Sequence, residues 1–178
     1  APYDRFRGRL MFPIKNLSGH TIAFGGRIIV ADDDSAKYIN SADSLLYKKG
    51  DHLYGLFQAR RTISAQKFAM LTEGYMDVLT LHQYGYTNAC GVLGTALTPE
   101  QVKRPAGFCS RLELLFAGDG PGRKAAMRGV EMAAATGLRC KAVPLPLIHI
   151  SVPNCRRGTS CVSLFVYNHT PSPPPLSF

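Results

Sequence analysis

Between Lys67 and Pro146, short apolar runs alternate with helix-length segments, and most changeovers carry a turn residue. "KFAMLT" reads as a strand running into a Glu73-Gly74 turn, and "YMDVLTLHQY" as a helix stopped by Gly85. "NACGVLG" reads as a second strand. Thr98 stands as N-cap before Pro99 at the first helical position, and Pro105 is expected to end that helix early. "LELLFAG" is a third strand, "GRKAAMRGVEMAAATG" a helix closed by Gly137, and "RCKAVPLP" a last strand. Strands joined through helices imply a parallel sheet with helices covering it, an α/β fold.

The flanking zones differ in texture. Residues 1–66 mix short apolar runs with turns, and "RLMFPIKNLSGHTIAFGGRIIV" reads as two strands around a Ser-Gly turn. From Leu147 to Phe178 there is no Asp, Glu or Lys, and the run ends in "TPSPPPLSF". Proline at that density forms neither helix nor central strand, so residues 147–178 are expected to be a divergent, disordered tail. A truncated or frame-shifted end and an ordinary disordered terminus explain that composition equally well.

At 178 residues with 46% hydrophobic side chains, the chain has enough apolar material for one large core or two small ones. No apolar run reaches the roughly 18 residues of a membrane span, and no secretory leader is recognisable. The abrupt opening "APYDRFRGRL" is expected of a piece of something longer. Five cysteines without a C-x-x-C pair, and scattered histidines, give a zinc site no support. The odd count points to unpaired, mostly buried thiols and a reducing cytoplasm. A net charge of +9 suits a polyanionic partner, nucleic acid being the commonest, and equally a soluble basic protein with no such partner.

In an open parallel sheet, ligands bind beyond the carboxyl ends of the strands. Two acid-bearing turns belong there: "TEGYMD", with Glu73 and, four residues on, Asp77, and "AGDGPG", with Asp119. Converging carboxylates hold hard cations such as Mg²⁺, which position phosphates for in-line displacement. Taken singly, Asp77 also suits a helix N-terminus and Asp119 a turn. "GTALTPEQ" is either a phosphate-approaching glycine turn or a plain strand-to-helix connection. "AFGGRI" and "KYINSADSLLYKKG" supply Arg27, Lys37, Tyr38, Asn40, Lys48 and Lys49, of a kind that contacts phosphate and sugar or simply faces solvent.

"DRFRGRLMFPI", "IAFGGRI", "KYINSADSLLYKKGDHLYGLFQAR", "EGYMDVLTLHQYG", "VLGTALTPEQ" and "FAGDGPGRKAA" follow one another as in the catalytic core of bacterial replicative DNA primases, which residues 4–146 resemble. The resemblance implies a small mixed α+β N-terminal subdomain over residues 1–66 and a TOPRIM subdomain, Rossmann-like with a mainly parallel sheet and flanking helices, over 67–146. It implies a cytoplasmic nucleotidyltransferase that uses Mg²⁺ or Mn²⁺ to build short RNA primers from ribonucleoside triphosphates on single-stranded DNA. The family's zinc-binding domain would precede this core, and the domain that meets the replicative helicase would follow it. By position, Glu73 and Asp119 would be catalytic, and Glu73, Asp77 and Asp119 would hold metal. Arg27, Lys37, Asn40 and Lys49 would hold template, primer or nucleotide.

Two departures stand out. The family has an aspartate where Ala117 stands, and an acidic Asp-Pro-Asp-like stretch soon after the last strand, where this chain reads "LIHISVPN". The expectation is therefore an impaired primase core or, alternatively, a non-catalytic nucleic-acid-binding remnant of one. The N-terminal blocks argue against another TOPRIM enzyme such as a topoisomerase or nuclease.

Overall fold

A computed structural model describes residues 3–29, 36–94 and 96–145, so the proposed tail lies outside the described residues. Strands β1 (Arg9–Lys15), β2 (Thr21–Ile28) and β3 (Tyr38–Asn40) form an antiparallel sheet in the order β1-β2-β3. The hairpin turn is set by Asn16, whose side-chain oxygen accepts hydrogen bonds from the backbone N–H groups of Ser18 and His20, both at 3.0 Å. Phe12 and Ile14 alternate inward on β1, as a half-buried strand requires.

A single 3₁₀ turn (Lys49–Asp51) leads to α1 (Leu56–Gln66). This helix was not expected from the sequence. Its buried stripe is only Leu56, Ala59 and Ile63, amid polar neighbours. Then come β4 (Phe68–Thr72), α2 (Tyr75–Gln83), β5 (Ala89–Gly91), α3 (Pro99–Ala106), β6 (Arg111–Ala117), α4 (Gly120–Ala134) and β7 (Arg139–Leu145). The four strands form one sheet, ordered β5-β4-β6-β7, with every pairing parallel. The α/β expectation holds, with the antiparallel sheet as its mixed N-terminal companion.

Two helix boundaries differ from expectation. Pro105 does not stop α3 but sits in its last turn, buried, and the helix runs on to Ala106. A proline removes one donor, and near a helix end few bonds remain to be lost. Its carbonyl accepts from the N–H groups of Phe108 and Cys109 and so closes the helix end. At the other end Thr98 and Gln101 form a full capping box, as Thr98-Pro99 implied. Helix α4 begins at Gly120 rather than Gly122, because the Asp119 side chain caps it. That helix presents Gly122, Ala126, Gly129 and Ala133 to the sheet. A Cβ at Gly129 would stand 2.5 Å from Leu114 Cδ1, so the helix lies too close for a side chain there.

The main core fills the space between α1, α3, α4 and the parallel sheet, from Leu56, Ala59 and Ile63 through Leu71, Leu112 and Leu114 to Ala133. A second core joins the two sheets: Phe12, Ile14 and Ala23 pack with Tyr47, Tyr54, Tyr75, Val78 and Leu93. Cys90, Cys109 and Cys140 are unpaired thiols, the first two buried. Among the described residues no helix is long and apolar enough to cross a membrane.

Candidate active site

The chain leaves β4 toward β5 on one side of the sheet and leaves β6 toward β7 on the other. Adjacent strands whose connections diverge leave a crevice at their carboxyl ends, and that crevice lies between β4 and β6. Glu73 directly follows β4, and Asp119 lies two residues beyond the end of β6. The Glu73 carboxylate spans the gap: its Oε1 accepts from the backbone N–H of Ala117 at 2.8 Å. Asp119 Oδ1 accepts from the Gly122 N–H at 2.7 Å and caps α4. Both acids line a cleft of about 300 Å³, together with Gly94, Leu97, Pro121 and Gly122.

Gly122 is a structural condition of this turn. A Cβ there would run into the Ala117 carbonyl oxygen and would approach Asp119 Oδ1 to 2.9 Å. Gly118 is held as tightly, with the Leu145 carbonyl oxygen 2.5 Å from where its Cβ would be. The glycines thus press the β6–α4 turn against the neighbouring backbone.

Asp77 stands in the first turn of α2, half-buried and outside the lining of the cleft. Burial, and then the nearby charge of Glu73, push its carboxyl up to about 7, while the Gly74 backbone N–H works in the opposite direction. Such a carboxyl keeps its proton longer in the folded chain than in the unfolded one. The stability its neutral form contributes is complete below the unfolded value of 3.8 and is lost as pH rises through about 7. With metal ions chelated, Asp77→Asn should therefore flatten the fall in stability between those limits. It should raise stability at pH 8 by on the order of 2 kcal/mol in urea unfolding. An unchanged pH profile would place the Asp77 carboxylate in water rather than in the wall of the fold.

Glu73 and Asp119 are brought together, but among the described residues no three His, Cys, Asp or Glu side chains converge into a metal-holding group. The donor set therefore fits one hard cation completed by water, since Mg²⁺ readily keeps several waters beside one or two carboxylates. It does not supply the ligands of two closely spaced ions.

The basic residues divide. Arg27 pairs across the sheet with Tyr38, and its guanidinium lies 5.9 Å from that ring's centroid. Lys37 is exposed and directly precedes β3. Lys49 sits on the 3₁₀ turn, its backbone N–H donating to Asp43 at 3.0 Å and its carbonyl accepting from buried Gln101 at 3.1 Å. Asn40 is engaged internally. Its amide donates to the Leu93 carbonyl at 2.9 Å, and its side-chain oxygen accepts from the Tyr75 hydroxyl. It thereby ties β3 to the connection after β5, a role the sequence did not suggest.

Comparison with known proteins accords with this geometry. Residues 1–60 match the profile for the DNA primase catalytic core, N-terminal domain, and residues 67–144 match the Toprim domain. The chain is 42% identical to the DNA primase of Deinococcus radiodurans over 146 residues, 81% of this chain and 25% of that protein. It spans about a quarter of the length of the curated relatives it matches. Among solved structures, the Aquifex aeolicus primase (zinc-binding and RNA polymerase domains) superposes with a TM-score of 0.77 at 42% identity, covering 81% of this chain and 36% of that one. The DnaG primase catalytic domain bound to ssDNA superposes with a TM-score of 0.73 at 37% identity, covering 81% and 47%. With its two matched segments in order and the acid-lined crevice at the β4–β6 switch point, the chain belongs to the bacterial DNA primase family.

Proposed function

We propose that this chain carries the template-binding and nucleotidyl-transfer region of a primase, acting on single-stranded DNA and ribonucleoside triphosphates. The observation that carries the reading is the meeting of Glu73 and Asp119 at the crevice between β4 and β6. In that role Glu73 and Asp119 would hold Mg²⁺ or Mn²⁺, which when bound would neutralise phosphate charge. The Ala117 N–H holds Glu73 Oε1 at the cleft and leaves its other oxygen outside that bond. In the same reading residues 1–66 and 67–146 act as two subdomains, with nucleic acid lying along the first and chemistry occurring on the second.

One observation favours a second reading, in which the chain binds nucleic acid without catalysing synthesis. Ala117 brings a backbone N–H but no carboxylate to the turn, and no third acid joins the pair among the described residues. Primer synthesis on single-stranded DNA, with labelled ribonucleotides and Mg²⁺, separates the two. Mg²⁺-dependent product that Glu73→Gln abolishes supports the catalytic reading, and binding without product supports the other.

Both readings share a basic binding surface that includes Arg27, Lys37 and Lys49. Neutralising two phosphate contacts should lower the dependence of log affinity on log salt by about 1.4 on a single strand. Lys37→Ala with Lys49→Ala should show that fall together with weaker binding of labelled oligo-dT in fluorescence anisotropy. Unchanged affinity and slope would reject the surface.

A further inference from the structure

A second cleft, of about 260 Å³, shares no lining residue with the acidic one. Lys15, Asn16 and Ser18 border it from the β1–β2 hairpin, His52 from the segment after the 3₁₀ turn, and Arg104 from the last turn of α3. No carboxylate is in its lining. Three separate parts of the fold therefore deliver two permanent cations and an imidazole to one concavity. Cations held side by side in a concavity repel one another unless an anion enters.

Their existing bonds orient them without using up their charge. Arg104 is fixed by its Nε, which donates to the Asp51 carbonyl at 2.7 Å. Among the described residues no ion pair engages its terminal nitrogens, whose planar fork matches phosphate oxygens. The Lys15 ammonium lies 5.5 Å from the centroid of the Phe57 ring and forms no ion pair among the described residues. His52 Nδ1 lies 3.0 Å from the Lys48 carbonyl, which fixes the ring while leaving Nε2 to interact elsewhere. Asn16 spends its carbonyl on the hairpin turn and keeps its amide.

The segment that carries Lys49 also supplies His52 to the cleft. Buried Gln101 donates from one amide to the carbonyls of Lys49 and His52, both at 3.1 Å, so this segment runs alongside α3 toward Arg104. We propose that the Lys15–His52–Arg104 cleft is a phosphate-binding subsite, taking either a phosphodiester of a single strand that runs past Lys49 or the phosphates of a free nucleotide. The proposal rests on the reading that the chain binds nucleic acid and nucleotides, and it adds a site to which that reading assigned nothing.

The test compares the chain as it stands with Lys15→Ala/Arg104→Gln, using labelled oligo-dT and, separately, ATP, each across a salt series. Loss of about tenfold in oligo-dT affinity, with the salt slope reduced by about 1.4, identifies a strand phosphate. A comparable loss for ATP with oligo-dT unchanged identifies a nucleotide phosphate. Either result supports the subsite, whereas unchanged binding of both ligands in a variant with the parent unfolding midpoint overturns it. If Lys37→Ala/Lys49→Ala is silent while this pair is not, the earlier surface falls and the subsite stands. Should loss of the Arg104–Asp51 bond unfold the double variant, Lys15→Glu alone carries the test, because among the described residues the Lys15 side chain makes a ring contact and no ion pair. Bound oligo-dT or ATP should also protect Lys15 from acetylation, read by mass spectrometry. No protection by either would overturn the proposal independently.

Discussion

Tyr75→Ala is expected to destabilise the fold by about 3–5 kcal/mol, the range for emptying a buried aromatic site. Tyr75 is 3% exposed at the first position of α2, and it is where the antiparallel and parallel sheets are joined. Its ring stacks on Phe12 at 4.8 Å, meets Tyr54 edge-on at 4.7 Å and lies 6.2 Å from Tyr38. Gly25 on β2 has no Cβ because the Tyr75 ring and hydroxyl occupy that space. The hydroxyl then donates to Asn40. Removing the ring therefore opens a cavity and breaks the polar tie in one change. Tyr75→Phe keeps the packing and leaves only the Asn40 oxygen without that donor, so it should lose about 1 kcal/mol. Urea unfolding gives both values, and hydrogen exchange should show the β1–β2 amides opening first in the alanine variant. Equal losses for the two variants would mean that the hydrogen bond, not the ring, holds the sheets together.

That junction shows where sequence reasoning stopped. Tyr75 was visible as the start of a helix, but its partners come from Phe12, Gly25, Tyr38, Asn40 and Tyr54, brought together only by tertiary packing. In the sequence, the polarity of Asn40 and its basic neighbours allow a nucleic-acid contact. Nothing local shows that its amide is directed at Leu93. Helix α1 escaped because three buried residues in eleven make too narrow an apolar stripe, and Gly55, in the left-handed region at φ 78°, reads as a loop. By contrast, Glu73 and Asp119 were legible because each follows an apolar strand, and parallel sheets put such positions on one edge. The Thr98 cap was legible because its chemistry is complete within four residues. The Lys15–His52–Arg104 cleft had no sequence signal, since its members lie far apart along the chain and each alone is an ordinary surface residue.

The largest functional effect is expected at the β6–α4 turn: the chain should bind single-stranded DNA yet synthesise primers poorly or not at all. Glu73 and Asp119 face one cleft, each with a single oxygen engaged by a backbone N–H, and among the described residues no third acid joins them to hold metal. One Mg²⁺ with extra waters is within reach of such a pair. A two-metal displacement needs two ions about 4 Å apart, each with its own ligands, and that is the function most exposed to the loss of a carboxylate at position 117. Ala117→Asp restores one charge to the turn. It also places a second carboxylate close to Glu73, whose Oε1 is 2.8 Å from the residue 117 nitrogen, so without metal the two would repel. The single variant should accordingly bind Mg²⁺ more tightly in calorimetry while recovering little primer synthesis. Joining it to a family-like acidic stretch after β7 should recover more, because further acids share the metal load. Glu73→Gln in that combined variant should return synthesis to background, since the carboxylate at the switch point is then lost. Vigorous Mg²⁺-dependent synthesis by the unaltered chain would show that Glu73 and Asp119 suffice, and that position 117 needs no acid.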